Sequence, residues 1–243
     1  MLSAFFHVVF YNPIYNALVA LVALVPGGDV GVAVILTTIL IRLILLPFSL
    51  SAARAGRAMK ALEPRLKELK EKHKDDKEAE ALATWALYRE ARVNPFAGFL
   101  TVLVQLPVLL ALYWVFRYEP FTMIDSARLY TFTPVPAHAS MEFIGLLSVA
   151  GKSVLLAVLA GATQFLQAHF ALSNATPAAS GGQADFQKVM GTQMKYVFPV
   201  LIGVISYTTS GAVALYFITT NLAGALQEWH VRRKFALPAD QSA

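Results

Sequence analysis

One arginine, Arg42, stands in residues 31–50, GVAVILTTILIRLILLPFSL, a run otherwise free of charge. A guanidinium stays charged at physiological pH and offers five N–H donors, so its chemistry is the attraction of carboxylates and other acceptors. Twelve residues separate it from Val30 and twelve from Arg54, roughly 18 Å each way at helical rise. A central arginine costs roughly 2.5–3.5 kcal/mol on insertion scales and must face protein or water. No acidic residue lies within an apolar segment to pair with it, Glu228 coming only at the end of the last one. The pattern therefore implies a water-filled cavity, with snorkelling by a tilted span as the alternative. Thr38 is one helical turn earlier on the same face. Gln105 falls midway through the second apolar segment, Gln164 and Gln167 in the third, and Thr219, Thr220 and Asn221 in the last. Taken singly, each of these reads as a helix-to-helix hydrogen bond.

Other chemistries find no support. GLLSVAGKS, residues 145–153, has five residues between its first glycine and its GK, where a phosphate-binding loop requires four after a strand. His7, His73, His138, His169 and His230 lack the paired spacing of metal ligands. The chain has no cysteine, which removes disulfides, thiolate sites and thiol nucleophiles. No serine-acid arrangement suggests hydrolysis. The sequence reads as no enzyme, without cofactor or metal.

The elements that must position these residues are membrane helices. The 243 residues are 57% hydrophobic and 14% charged, against roughly 25% charged in soluble domains. The apolar blocks approach the ~20 residues that cross a bilayer as a helix. The expected fold is an all-α membrane protein with five transmembrane helices, near 30–50, 96–116, 145–170, 194–209 and 212–229, within a core of residues 29–230. Residues 1–28 carry no Asp, Glu, Lys or Arg and lack a signal-type basic start. Pro13 interrupts their apolar run, beside interface-favouring Tyr11 and Tyr15. They read as an interfacial helix at the outer surface, with an extra span over residues 5–25 as the alternative. Residues 52–94 alternate charges and leucines in two halves broken at KDD, Pro64 kinking or restarting the first, and predict a helical hairpin. Residues 173–188 read as a small-residue linker and 231–243 as a short basic tail.

Lysine and arginine bias sets the orientation. The segment before the first span has neither, whereas residues 52–94 are dense in both, from Arg54 to Arg92. The hairpin is thus expected in the cytoplasm, with Lys188, Lys195, Arg232, Arg233 and Lys234 on the same side, the N-terminus outside and the C-terminus inside. The net charge of +5 follows from this topology and predicts no sequence-specific nucleic-acid partner.

Three segments, ILTTILIRLILLPFSLSAARAGRAMKALEPRLKELKEKHKDD, LYREARVNPFAGFLTVLVQLPVLLALYWVF and FPVLIGVISYTTSGAVALYFITTNLAGALQE, together resemble the core of the YidC/Oxa/Alb membrane protein insertases. The resemblance covers about residues 30–230. It implies a five-helix bacterial inner-membrane core whose arginine sits in a hydrophilic groove open to the cytoplasm and inner leaflet, passing nascent membrane-protein clients into the bilayer without nucleotide hydrolysis. By resemblance Arg42 is the groove arginine, Thr38 the client-facing threonine, Gln105 the glutamine of the Q-x-P pattern, and Gln167 that near the cytoplasmic end of the third span. Phe217 falls where many members carry tyrosine or tryptophan, and Asn221 one turn later joins the groove set. YTTSGA replaces a proline-containing turn, and neither the large extracytoplasmic domain nor a long ribosome-binding tail has a counterpart. Contacts with the Sec translocon, ribosome and signal recognition pathway would then fall to hairpin 52–94. The rivals are a transporter using Arg42 for an anionic solute, which would favour internal repeats and carboxylates within its spans, and a scaffold that would not require Arg42.

Overall fold

The computed structural model describes residues 2–94, 97–119, 121, 124–172 and 191–234. The linker 173–188, with Lys188, and most of the basic tail lie outside the described residues. Helices dominate: α1 (Leu2–Phe6), a π-helical turn (His7–Tyr11), α2 (Asn12–Leu24), α3 (Val30–Ala61), α4 (Glu63–Lys72), α5 (Lys77–Glu90), α6 (Ala97–Tyr118), α7 (Val154–Leu172), a second π turn (Gln193–Val197), α8 (Phe198–Thr208) and α9 (Gly211–Lys234). The strands β1 (Glu142–Phe143) and β2 (Leu147–Ser148) pair antiparallel. Among the described residues three helices are long and apolar enough to cross a membrane, Ala4–Leu24, Val30–Met59 and Val154–Ala171, and a shorter apolar stretch covers Leu103–Tyr118.

Two compact units divide the chain. The first comprises Met1–Leu45, Leu103–Gln164 and Pro199–Ala223. Its core joins Tyr15, Leu18, Val19 and Val22 of α2, Val30 and Val34 of α3, Ala111, Leu112 and Val115 of α6, and Ala212 to Phe217 of α9. Small residues let the backbones close in. A Cβ on Gly211 would stand 2.9 Å from Val149 Cα, and one on Gly161 3.0 Å from the Pro199 carbonyl oxygen. Asp29 starts α3: one carboxylate oxygen accepts from Val32 N–H at 2.9 Å, and the other from Ile144 N–H at 2.7 Å. The N-terminal helix is fastened by buried Asn16. Its oxygen accepts from Tyr130 N–H at 2.7 Å and from the Thr133 hydroxyl at 2.8 Å, while its amide donates to the Arg128 carbonyl at 3.1 Å.

The second unit comprises Leu46–Val102, Phe165–Phe198 and Gly224–Ala243. Pro64 does restart the hairpin's first half, at the first turn of α4, where a missing N–H removes no helical bond. Asp76, the end of KDD, caps α5 by accepting from Glu78 N–H and Ala79 N–H at 3.1 and 3.0 Å. Leu66 and Leu87 are buried, and Arg65 meets Glu90 at 3.6 Å. Burial pushes the Tyr88 hydroxyl pKa up.

The sequence-based boundaries shift at three places. Pro13 does not break the N-terminal helix: it lies in the first turn of α2, directly after the π turn. The helix that carries the first expected span does not stop at residue 50: α3 runs on through Pro47 and Gly56 to Ala61. The third helix begins at Val154, not 145, because residues 142–148 pair as strands and Gly145 takes a left-handed φ of 67° in their turn.

Candidate functional site

α3 divides its sides sharply around the arginine. Leu36, Ile39, Leu40, Leu43 and Ile44 are exposed, whereas Val34, Thr37 and Thr38 are buried and Arg42 is half-buried. The i, i+4 spacing keeps Thr38 and Arg42 on one stripe. The Thr38 hydroxyl donates to the Val34 carbonyl at 2.7 Å, which satisfies its proton within its own helix. Arg42 Nη2 donates to the Thr220 carbonyl of α9 at 2.9 Å. Its buried Nε has no partner among the described residues, nor do Thr37 Oγ1 and Ser206 Oγ of the same unit. Among the described residues the arginine therefore meets a neutral acceptor and no carboxylate.

Gln105 of α6 donates its amide to the hydroxyl of Tyr216, which is buried in α9. Arg42 lies within electrostatic reach of the same tyrosine. Tyr216 and Thr220 are four residues apart and share one face of α9. That face receives both Gln105 and Arg42, so three helices bring together two of the residues singled out from sequence. Tyr216 was not among them. Its signal was the polar i, i+4 pair with Thr220 inside an apolar run; attention fell instead on Phe217, about 100° further round the helix.

The remaining residues stand elsewhere. Phe217 is buried in the apolar core, its ring 5.3 Å from that of Tyr216. Asn221 is 1% exposed and donates to the Ala160 carbonyl at 3.3 Å and to Thr163 Oγ1 at 3.2 Å, tying α9 to α7. Gln167 belongs to the second unit, where its amide lies against Gly224, and a Cβ there would collide with it. In that unit the Ser49 hydroxyl also donates to Gln227 Oε1 at 2.8 Å. Among the described residues no group of three His, Asp or Glu side chains could hold a metal. What the Arg42 cluster can do chemically is attract a carboxylate and solvate polar backbone, through the guanidinium, the Gln105 amide and the Tyr216 hydroxyl.

Comparison with known proteins bears on what would use such a cluster. Residues 22–238 match the family described as 60Kd inner membrane protein. A Fusobacterium nucleatum subsp. nucleatum protein named membrane protein insertase YidC is 35% identical over 216 residues, covering 86% of this chain and 89% of its own. Proteins of the same name from Francisella tularensis subsp. novicida and subsp. tularensis are 31% identical over 236 residues, covering 97% of this chain. The chain spans 37% of the length of these Francisella relatives.

Proposed function

Because this chain belongs to the 60Kd inner membrane protein family, we propose that it is a membrane protein insertase and chaperone, which moves apolar segments of nascent membrane proteins and their short polar flanks from the cytoplasm into the bilayer. The observation that carries the mechanism is Arg42, half-buried at mid-helix, which among the described residues bonds a neutral carbonyl and keeps one N–H without a partner. A polar flank entering hydrocarbon costs several kcal/mol for each unsatisfied group. A hydrated groove at half-buried Arg42 and Gln105, with Thr38 and Tyr216 buried behind them, lowers that barrier by replacing bulk water at the flank. Phe217 and Asn221 hold α9 in place. The client's apolar segment then partitions into lipid, which supplies the driving force together with the membrane potential. No nucleotide is consumed.

The proposed setting is the bacterial inner membrane, with five spans, the N-terminus outside and hairpin 52–94 and the tail in the cytoplasm. The hairpin is where the Sec translocon, ribosome or signal recognition pathway would dock. The N-terminal helix lies in the outer interface. Supporting this, its mid-point residue Tyr11 donates to Glu119, one position beyond the end of α6 and so at the head-group level of a helix that crosses the bilayer.

A carboxylate about 8 Å from Arg42, at an effective dielectric near 20, gains about 2 kcal/mol, roughly thirtyfold in rate. Proteoliposomes containing only this protein should insert a small client with an acidic translocated flank, read as protease protection of that flank. Arg42→Ala should reduce the rate by about that factor. Wild-type protein that is folded yet inserts no more than empty liposomes would refute the proposal, and an unimpaired Arg42→Ala would refute the role of the arginine.

A further inference from the structure

The first unit holds a cavity of about 450 Å³ lined by His7, Tyr11, Trp114, Tyr118, Glu119 and Arg128. Nothing in the proposed passage of clients uses it. Glu119 is 8% exposed, and both its hydrogen bonds, from the Tyr11 hydroxyl and from the Arg128 guanidinium, go to Oε1. Among the described residues its second oxygen has no hydrogen-bond donor, so a mostly buried carboxylate oxygen remains available in a wall of aromatic rings. Arg128 is half exposed and is shared with Asp125 at 3.2 Å, and Glu119 pushes its pKa further above the usual value. These three groups sum to one net negative charge, from two carboxylates and one guanidinium. Arg117, exposed and not itself lining the cavity, lies 5.7 Å from the centre of the ring of Tyr118, which does.

Aromatic faces around a carboxylate recognise an ammonium ion, through cation–π attraction and a charge-assisted hydrogen bond. Guanidinium groups at the rim suit a phosphate. The depth of the cavity identifies what carries both. α6 has 22 residues and rises about 33 Å, close to the thickness of the hydrocarbon core. Its last residues, Arg117 and Tyr118, and the adjoining Glu119 thus stand where head groups lie, provided α6 crosses as proposed above. A volume of this size accommodates a small polar ligand.

We propose that this cavity binds the head group of an amine-bearing zwitterionic phospholipid, the ammonium held by Glu119 between Trp114, Tyr11 and Tyr118, and the phosphate by Arg128 and Arg117. The site fastens lipid where the N-terminal helix meets the end of α6, away from the Arg42 cluster.

The test is native mass spectrometry of the full chain in detergent, titrated with dioleoyl phosphatidylethanolamine and with dioleoyl phosphatidylglycerol, which share tails and phosphate. Wild type should bind the amine lipid about tenfold more tightly. Glu119→Gln keeps the shape and should abolish the preference. Tyr118→Ala, whose ring is 66% exposed and free of core packing, should weaken it severalfold in a protein that stays folded. Equal binding of the two lipids by wild type would overturn the proposal, as would an unchanged preference in both variants. Displacement of neither lipid but saturable binding of a short lysine-bearing peptide would overturn it in favour of a polypeptide ligand. The measurement reads no insertion, so its failure would leave the insertase proposal standing.

Discussion

In the proposed groove Arg42 and Gln105 act through different chemistry, and substitution should separate them. Replacing Arg42 removes a full charge; Gln105→Leu removes one donor to Tyr216. Gln105→Leu should therefore slow client insertion only a few-fold, while Tyr216→Phe, which leaves the Gln105 amide without its acceptor, should cost about 1 kcal/mol of stability. Insertion rates and thermal unfolding in detergent read these two effects, and a Gln105→Leu defect as deep as that of Arg42→Ala would contradict the division. The Arg42–Thr38 pair was legible in the sequence because a permanent charge in an apolar run has few places to go and the i, i+4 rule fixes its neighbour. Tyr216 was not, because beside phenylalanine in an apolar helix its one signal, the polar i, i+4 pair with Thr220, does not say which ring faces α6. The position of Asn221 was equally hidden. An asparagine in a span suits a wet groove or a helix-to-helix bond, and its two bonds to α7 realise the second.

At the scale of elements, the glycines separate those that admit a neighbour from those that merely loosen a helix. Gly211→Ala would force Cβ against backbone atoms of Val149 and Ser148 at 2.9 and 3.0 Å, where no side-chain rotation gives relief. A loss of about 1–3 kcal/mol is expected. Gly56 lies exposed inside α3 with nothing within 4 Å of an added Cβ, so Gly56→Ala should stabilise by about 0.5–1 kcal/mol. Melting temperatures of the two variants should move in opposite directions. The helices themselves were largely legible, through apolar run length and the Pro64 and Asp76 boundary signals. Residues 145–153 were misread as helix because small and apolar residues suit one locally. What decides their conformation is distant, an Asp29 carboxylate bound to the Ile144 amide. On the hairpin, Leu82 and Trp85 look like a packing stripe, yet they are 66% and 53% exposed while Leu87 is buried. With Leu82, Trp85, Leu87 and Tyr88 spread around α5, periodicity alone did not fix its inward face.

For the whole molecule, the proposed topology predicts labelling from opposite sides. The chain has no cysteine, so a single one introduced on the hairpin, Glu78→Cys, should react with an impermeant maleimide only from the cytoplasmic side. Phe132→Cys, at a position 80% exposed in the loop after α6, should react only from outside. Both reacting from one side would refute the arrangement. The bonds of Asn16 bear on a different matter, the making of the chain. The residue that receives it, Tyr130, lies 114 positions later, which at about 5–20 residues per second is roughly 6–23 s of synthesis. Throughout that interval a helix carrying Tyr11, Tyr15 and Asn16 has emerged without the loop that will bury them. During its own translation, its first helix is an apolar segment with a polar patch waiting at the membrane, the same kind of cargo the finished protein is proposed to escort.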